Sequence, residues 1–232
     1  MVLEGSRQPR IAIDGPAGAG KSTVAKELAR ILGYTYVDTG AMYRAITLKA
    51  LECGLSPGDQ DAIVLLAETS DIRLLNDPSG CARVFLDGRD VTREIRSPQV
   101  NAAVSPVSAI AGVRDRMVQI QRLLAAEGGV VMEGRDIGTV VLPEAEVKVY
   151  LEASAEERAR RRLRELTASG YQATLEEAME EIRHRDSIDS SRDVAPLTRA
   201  NDAVVVDSTT LSIELTVDSL VELVRKAGAR DV

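Results

Sequence analysis

The stretch that decides the fold is Ile11-Ala-Ile-Asp14-Gly15-Pro-Ala-Gly-Ala-Gly20-Lys21-Ser22-Thr23. Residues 15–22 fit Gly-x-x-x-x-Gly-Lys-Ser/Thr, the phosphate loop that joins an apolar strand to a helix. Backbone N–H groups of such a loop surround the β-phosphate of a nucleotide, Lys21 supplies positive charge, and the Ser22 hydroxyl is suited to ligate Mg²⁺. The pattern predicts a nucleotide-binding loop whose contacts come from Gly15, Pro16, Ala17, Gly18, Ala19, Gly20, Lys21, Ser22 and Thr23.

Beyond this loop, short β-type runs alternate with helical patterns. The runs cover residues 11–14, 34–38, 130–133, 147–151 and 203–207. Apolar residues spaced by three and four predict helices that end at Gly33, at Gly128 and, for the last helix, at Gly228. Capping boxes at Ser154 and Thr174 start two more helices. This alternation is typical of an α/β fold, with a five-stranded parallel sheet and helices on both faces.

One segment breaks the alternation. Residues 71–75, 83–86 and 89–91 are short β-type runs, and the turn signals Asn76-Asp-Pro-Ser-Gly80 and Asp87-Gly88 separate them. Such runs with tight turns between them predict a small antiparallel meander. We therefore expect an insertion that lies outside the parallel sheet.

Composition narrows the classes of function. The chain has 232 residues, of which 44% are hydrophobic, and its formal charge of −7 argues against broad affinity for nucleic acid. No stretch has the length and apolar character of a signal peptide or a membrane span, so we expect a cytoplasmic protein that binds no membrane. Cys53 and Cys81 lack metal-like spacing, which predicts reduced thiols.

A phosphate loop does not identify a reaction, because GTPases, motor ATPases and small-molecule kinases share it. The chain has no Asn-Lys-x-Asp guanine motif, and its length suits a kinase for a metabolite better than a motor. Its one histidine, His184, is expected at an exposed helix position. Phosphoryl transfer needs positioned cations around the transferring oxygens, and arginine is therefore the residue type to follow.

Several arginines occupy positions where ligands of α/β sheets bind. Glu133-Gly-Arg135-Asp136 and Asp38-Thr-Gly-Ala-Met-Tyr-Arg44 directly follow predicted strands, at the carboxyl edge of the sheet. Arg185, Asp189 and Arg192 stand at i, i+4 and i+7 and would share one face of a continuous helix. A solvated ion pair explains that spacing equally well, and a solvated helix face is the alternative for the arginines crowded at 158–164.

The motifs together resemble the bacterial cytidylate kinase family, from about Ile11 to the final helix. They are the phosphate loop, Asp38-Thr-Gly-Ala-Met-Tyr-Arg44, Glu133-Gly-Arg-Asp-Ile-Gly-Thr139, Arg185-Asp-Ser-Ile-Asp-Ser-Ser-Arg192 and Val194-Ala-Pro-Leu197. The resemblance implies a monomeric enzyme that moves the γ-phosphoryl group of ATP, with Mg²⁺, to CMP or dCMP. It also implies one kinase unit at 10–232 with a tail at 1–9. Its parts are a core at about 10–60, 100–153 and 194–232, a β insertion in the monophosphate-binding region at about 61–99, and an Arg-rich lid with a helical arm at about 154–193.

The same resemblance implies roles for individual residues. Arg44, Arg135 and Arg192 would bind the acceptor phosphate, Arg185 and Asp189 the ribose hydroxyls, and Ser105, Arg114 and Asp136 the cytosine edge. Thr39 would also contact the acceptor, and the catalytic residues would be Lys21, Arg158, Arg162 and Arg192. A carboxylate complements the amino group of cytosine, whereas it opposes O4 of uracil.

Two other functions fit the phosphate loop. One is a kinase for another small acceptor, such as UMP or a metabolite without a base, although a base-free acceptor has no use for Arg114 and Asp136. The other is an ATP-dependent switch protein that is not a kinase, and its ATP hydrolysis would not respond to a nucleoside monophosphate.

Overall fold

Eight β-strands build a five-stranded parallel sheet and a separate three-stranded antiparallel sheet in the computed structural model, which describes residues 8–76, 82–168 and 170–228. The strands are β1 (Arg10–Asp14), β2 (Thr35–Asp38), β3 (Ile72–Asn76), β4 (Ala82–Leu86), β5 (Arg89–Asp90), β6 (Val130–Gly134), β7 (Val147–Glu152) and β8 (Val204–Asp207). The parallel sheet has the order β2-β6-β1-β7-β8, which confirms the predicted five-stranded core. Its middle strand β1 leads directly into the phosphate loop, residues 15–22.

The described residues also form eight α-helices, which cover both faces of the parallel sheet. They are α1 (Lys21–Leu32), α2 (Thr39–Glu52), α3 (Gln60–Thr69), α4 (Pro98–Ala109), α5 (Ala111–Leu124), α6 (Ala155–Ala168), α7 (Leu175–Ser191) and α8 (Ile213–Lys226). A 3-10 turn at Glu94–Arg96 and a π-helical turn at Ile137–Val141 complete the description. Gly33 ends α1 in the left-handed conformation, and the capping box at Thr174 begins α7, both as predicted.

Three apolar clusters hold these layers together. Ile11 and Ile13 of β1 pack with α1 and α8 on one face of the sheet. Ala12 packs on the other face with the π-helical turn. The third cluster joins α2, α3, α4 and α5 to the antiparallel sheet. Both faces of β1 are therefore buried, which explains its uninterrupted apolar sequence.

The antiparallel sheet confirms the predicted meander. Strand β3 pairs with β4, and β4 pairs with β5. Asp87 and Gly88 form the second turn with positive φ angles of 51° and 80°, as a tight hairpin turn requires. The first turn signal, at residues 77–81, lies outside the described residues, and so does Cys81.

Two details of the helices differ from the sequence prediction. Arg192 does not continue the helix of Arg185 and Asp189, because α7 ends at Ser191 and Arg192 has an extended backbone. The prediction that Arg185, Asp189 and Arg192 share one helix face is therefore wrong for Arg192. The sequence prediction also lacked α2, α3 and α4, whose apolar and small residues show no clear helical stripe.

Among the described residues, no helix combines the length and the apolar character that crossing a membrane requires. Cys53 is a free, exposed thiol. His184 lies on the exposed side of α7, as predicted.

A substitution at Gly15 tests how closely the phosphate loop approaches the parallel sheet. A Cβ atom on Gly15 would lie 2.0 Å from the carbonyl oxygen of Leu151 in β7, so Gly15→Ala forces backbone to move. We expect the free energy of unfolding to fall by about 3 kcal/mol or more, as for severe overpacking. Urea unfolding measures this loss. Gly58→Ala is the control, since its Cβ would meet only Ser56 at 3.6 Å, and an equal loss in both variants would contradict the explanation.

Candidate active site

The phosphate loop has the backbone that its glycines permit. Gly18 and Gly20 have φ angles of 75° and 92°, which side-chain-bearing residues rarely adopt. Lys21 is buried at the start of α1, and its Nζ donates to the carbonyl oxygen of Pro16 at 2.7 Å. Burial and, after it, the nearby Arg135 guanidinium lower the pKa of Lys21, and a bound phosphate would oppose this shift.

Asp14, the last residue of β1, connects this loop to the neighbouring strand. Its buried carboxylate accepts hydrogen bonds from the backbone N–H groups of Ile137 at 2.8 Å and Gly138 at 2.7 Å. These groups begin the π-helical turn that follows Arg135 and Asp136. Burial raises the pKa of Asp14 to about 6, although the two backbone hydrogen bonds oppose the shift. The carboxylate thus positions the loop that carries two predicted site residues.

One cavity brings together all of the residues predicted on the acceptor side. This central cavity opens at the carboxyl ends of β2 and β6, next to the phosphate loop. It is lined by Lys21, Ser22, Asp38, Thr39, Gly40, Tyr43, Arg44, Val104, Ser105, Ser108, Arg114, Glu133, Gly134, Arg135, Asp136, Arg185, Asp189 and Arg192. Residues from four separate motifs therefore face a common space.

At one end of the central cavity, Asp136 lies between two arginines. Its carboxylate is hydrogen-bonded to Arg114, and Nη2 of Arg192 lies 3.6 Å from its other oxygen. Nη1 of Arg114 donates to the carbonyl oxygen of Ser108 at 3.2 Å, and the guanidinium lies 5.6 Å from the ring centre of Tyr43. This end offers a carboxylate, guanidinium groups and an aromatic face within a buried space.

A second group of charged residues occupies the rest of the central cavity. Nε of Arg135 donates to Asp189 at 2.8 Å, and Nε of Arg44 lies 3.4 Å from the side-chain oxygen of Asn101. Burial, followed by the neighbouring Arg44 and Arg135, lowers the pKa of Arg185 to about 10. Thr39 has a structural contact, since its hydroxyl donates to the carbonyl oxygen of Glu133 at 2.7 Å.

Arg192 owes its position to the loop that follows α7. Its Nε donates to the carbonyl oxygen of Ala195 at 2.6 Å. Ala195 has a φ of 49°, a left-handed conformation that is uncommon for alanine, and Pro196 follows it. Burial, followed by the nearby Arg114, lowers the pKa of Arg192. This loop therefore turns a buried guanidinium into the central cavity from beyond the helix end.

The charges that line the central cavity do not balance. Six cationic side chains face four carboxylates. The cations are Lys21, Arg44, Arg114, Arg135, Arg185 and Arg192, and the carboxylates are Asp38, Glu133, Asp136 and Asp189. An excess of positive charge in the lining of a cavity favours an anionic ligand.

The lid arginines divide into two groups. Arg158 donates to the carbonyl oxygen of Ala17 at 3.0 Å, and Arg161 donates to that of Ala19 at 2.9 Å, so both reach the phosphate loop. Arg162 instead pairs with Glu181 of α7, with 2.8 Å between Nη2 and Oε1. Sequence spacing did not distinguish these arginines, and Arg161 was not among the predicted site residues.

A donor-side cavity of about 440 Å³ lies across the phosphate loop from the central cavity. It is lined by the loop, by α6 and by the start of α8, including Gly20, Thr23, Glu157, Arg161, Ser208 and Ile213. Arg161 and Ser208 join its walls, since Nη2 of Arg161 donates to the carbonyl oxygen of Ser208 at 2.7 Å. The sequence offered no motif for Ser208 or Ile213.

Ser22 lies beside Lys21 and has an oxygen-rich environment. Ser22 lines the central cavity together with the buried carboxylate of Glu133, which accepts a hydrogen bond from the hydroxyl of Tyr36 at 2.7 Å. Hydroxyl and carboxylate oxygens are ligands that Mg²⁺ prefers. The described residues contain no cluster of three or more His, Cys, Asp and Glu side chains that would hold a metal unaided.

Comparison with known proteins agrees with this geometry. The model of a family described as cytidylate kinase matches residues 11–226. A cytidylate kinase of Pelotomaculum thermopropionicum is 53% identical over 223 residues, which are 96% of this chain and 98% of the relative. A cytidylate kinase of Carboxydothermus hydrogenoformans is 54% identical over 215 residues, 93% of this chain and 96% of the relative. An uncharacterized protein from Eubacterium ventriosum of known structure, 12% identical, has a TM-score of 0.50 over 94% of this chain and 99% of that one, which shows a shared fold alone.

The raised pKa of Asp14 predicts that the free energy of unfolding of this protein depends on pH. Its pKa in the folded protein, about 6, lies above its ordinary value of 3.8, so folding becomes less favourable as the group ionises. Its contribution to stability is complete below about pH 4 and is lost as the pH rises through 6. The unfolding free energy of wild type minus that of Asp14→Asn should fall by about 2 kcal/mol from pH 4 to pH 7, at about 1.36 kcal/mol per pKa unit.

Urea unfolding of both proteins across this pH range provides the test. Asp115→Asn, at an exposed position of α5, is the control, and its difference from wild type should stay flat. A difference between wild type and Asp14→Asn that does not change with pH would exclude this role for Asp14.

Proposed function

The chain belongs to the cytidylate kinase family, and we propose that it transfers the γ-phosphoryl group of ATP to CMP or dCMP, giving ADP and CDP or dCDP. The observation that carries this proposal is the central cavity, where an excess of lining cations and a buried polar end around Asp136 and Arg114 adjoin the phosphate loop. The reaction would belong to pyrimidine nucleotide metabolism.

The charge of the acceptor phosphate matches the charge of the central cavity. A phosphate monoester carries close to two negative charges at pH 7, and the central cavity has two more cations than carboxylates. Arg44, Arg135 and Arg192 would hold this phosphate, and guanidinium groups bind phosphate oxygens in pairs. Arg185 and Asp189 would hold the ribose. The guanidinium of Arg185 would donate hydrogen bonds to the ribose hydroxyl oxygens, and the carboxylate of Asp189 would accept hydrogen bonds from the hydroxyl groups.

The buried end of the central cavity would hold the base. Asp136 would accept a hydrogen bond from the cytosine amino group, and Arg114 would donate to O2 or N3. Ser105 lies in the same wall, and the ring of Tyr43 provides an apolar surface there. Uracil has an oxygen in place of the amino group, so it would leave Asp136 facing another acceptor at a cost of about 1–3 kcal/mol.

The chemistry requires position and positive charge rather than a nucleophilic side chain. An oxygen of the CMP phosphate would attack the γ-phosphorus of ATP, and the bond from this phosphorus to the bridging oxygen of ADP would break. Lys21 and Arg192 would neutralise charge that develops on the transferring group, as preorganised donors do in other enzymes. Arg158 and Arg162 are further candidates from the lid, although Arg162 is paired with Glu181 in this structure.

ATP would bind the phosphate loop, with its base directed to the donor-side cavity. Ser22 fits a role in holding Mg²⁺, since it follows Lys21 in the phosphate loop and lines the central cavity together with Glu133. Bound there, Mg²⁺ would supply positive charge to the donor phosphates. We further propose that the protein works as a monomer in the cytoplasm.

A coupled assay that measures ADP production tests the proposed function. We expect ATP to be consumed efficiently with CMP or dCMP, and much less efficiently with UMP, AMP or shikimate. Preferred use of UMP or shikimate would identify a kinase for another acceptor. ATP hydrolysis that no acceptor stimulates would instead indicate a switch protein.

Replacing Asp136 by Asn should weaken the preference for cytosine. The amide keeps the size of the side chain and adds a donor that can face O4 of uracil. We expect kcat/KM for CMP to fall and the ratio of CMP to UMP efficiency to narrow by at least about tenfold, which is about 1.4 kcal/mol. Steady-state kinetics with both monophosphates measures this ratio.

The control for this variant is Asp189→Asn, which also removes a buried carboxylate from the central cavity. Because Asp189 would contact the ribose, its loss should lower the efficiencies with CMP and UMP to a similar extent. If Asp136→Asn also leaves the ratio unchanged, Asp136 does not read the base and the proposed orientation of the acceptor is wrong.

A further inference from the structure

Asp186 is the one charged residue in the run from Arg185 to Arg192 to which the proposed reaction assigns no task. It lies on α7, the helical arm, next to Arg185. Its Oδ1 accepts from the backbone N–H of Ala17 at 3.2 Å, and its Oδ2 pairs with Nη1 of Arg158 at 2.5 Å. A carboxylate from the arm therefore contacts the phosphate loop and the lid at once.

These contacts are those that a phosphate group would make. Ala17 belongs to the phosphate loop, whose backbone N–H groups bind anions. Arg158 is held against this loop, since its Nη1 also donates to the carbonyl oxygen of Ala17 at 3.0 Å and its Nε donates to that of Ala153 at 3.1 Å. The side chain of Arg158 is only 10% exposed, and that of Asp186 is 23% exposed. The carboxylate thus occupies a partly enclosed site that combines an N–H donor with a guanidinium.

We propose that Asp186 is a positioning residue that holds the arm and Arg158 on the phosphate loop, and that the terminal phosphate of the donor displaces it. This inference rests on the proposed use of ATP. A carboxylate and a γ-phosphate cannot share one N–H group and one guanidinium without strong like-charge repulsion. The γ-phosphate would replace the carboxylate of Asp186 at the N–H group of Ala17 and at the guanidinium of Arg158, because a phosphate carries more negative charge and more acceptor oxygens than a carboxylate.

The displacement would connect the donor to the acceptor. The arm also carries Arg185 and Asp189, two residues proposed to bind the acceptor ribose. When Asp186 leaves the phosphate loop, Arg158 becomes available to bind the donor phosphates. The arm, α7, can then move toward the acceptor. ADP lacks the terminal phosphate, so it should compete with Asp186 less effectively than ATP does.

The test compares the binding of AMP-PNP, a non-hydrolysable ATP analogue, with the binding of ADP. Asp186→Asn keeps the size of the side chain and an oxygen that can face Ala17, but it removes the negative charge. We expect the Kd for AMP-PNP to decrease about tenfold in this variant, and the Kd for ADP to change by less than about threefold. Isothermal titration calorimetry in the presence of Mg²⁺ measures both constants.

Two further variants make the result decisive. Glu180→Gln removes an exposed carboxylate from the same helix and should leave both constants unchanged, which controls for a general loss of negative charge. Asp186→Ala should change both constants in the same direction as Asp186→Asn, and thermal unfolding shows whether each variant is folded. If Asp186 only stabilises the fold, the variants lower the Tm and weaken both nucleotides equally.

An unchanged ratio of the two Kd values, or weaker AMP-PNP binding in a folded Asp186 variant, would overturn the proposal. Phosphorylation of CMP by the wild-type protein is measured in the same preparation. Absence of that activity would count against the proposed function, whereas normal activity with an unchanged Kd ratio would count against the role of Asp186 alone.

Discussion

The gathering of more cations than carboxylates around one cavity is the constraint on which the rest of this structure depends. Guanidinium groups lose favourable hydration when they are buried, and burial lowers the pKa values of Arg44, Arg185 and Arg192. The lining of the central cavity therefore has an excess of positive charge that its own carboxylates do not neutralise. Folding energy from the apolar clusters must offset this cost, and a bound phosphate would remove much of it.

The fold meets this constraint by bringing strand ends and helix ends to the same place. Strands β1, β2 and β6 end in the phosphate loop, in α2 and in the Arg135-Asp136 segment, respectively. Asp14, at the end of β1, connects the phosphate loop to the segment that follows Asp136 through two buried hydrogen bonds. The arm α7 adds Arg185 and Asp189 from the opposite side, and the ion pair between Asp189 and Arg135 ties the arm to β6. Phosphoryl transfer depends on such positioning more than on any single reactive group.

Sequence reasoning located the strands and the motifs that follow them because each depends on local signals, whereas Ser105 and Arg114 had no motif of their own and were assigned only through the family resemblance. A buried parallel strand shows as an apolar run, and a ligand-binding residue often follows it directly. Contacts that depend on long-range packing had no such signal. Tyr43 lies in a helix where an aromatic residue indicates core, and nothing in the spacing of the lid arginines distinguishes Arg161 from Arg162. The position of the Arg192 side chain depends on its hydrogen bond to the carbonyl oxygen of Ala195. The spacing of residues in a sequence does not predict such a contact.

The most direct test of this account is a crystal structure of the protein with CMP bound. We expect the cytosine amino nitrogen within about 3.2 Å of the Asp136 carboxylate, as a hydrogen bond requires, and the phosphate among Arg44, Arg135 and Arg192. A base that lies away from Asp136, or a phosphate that makes no contact with these arginines, would contradict the claim that the central cavity is the acceptor site.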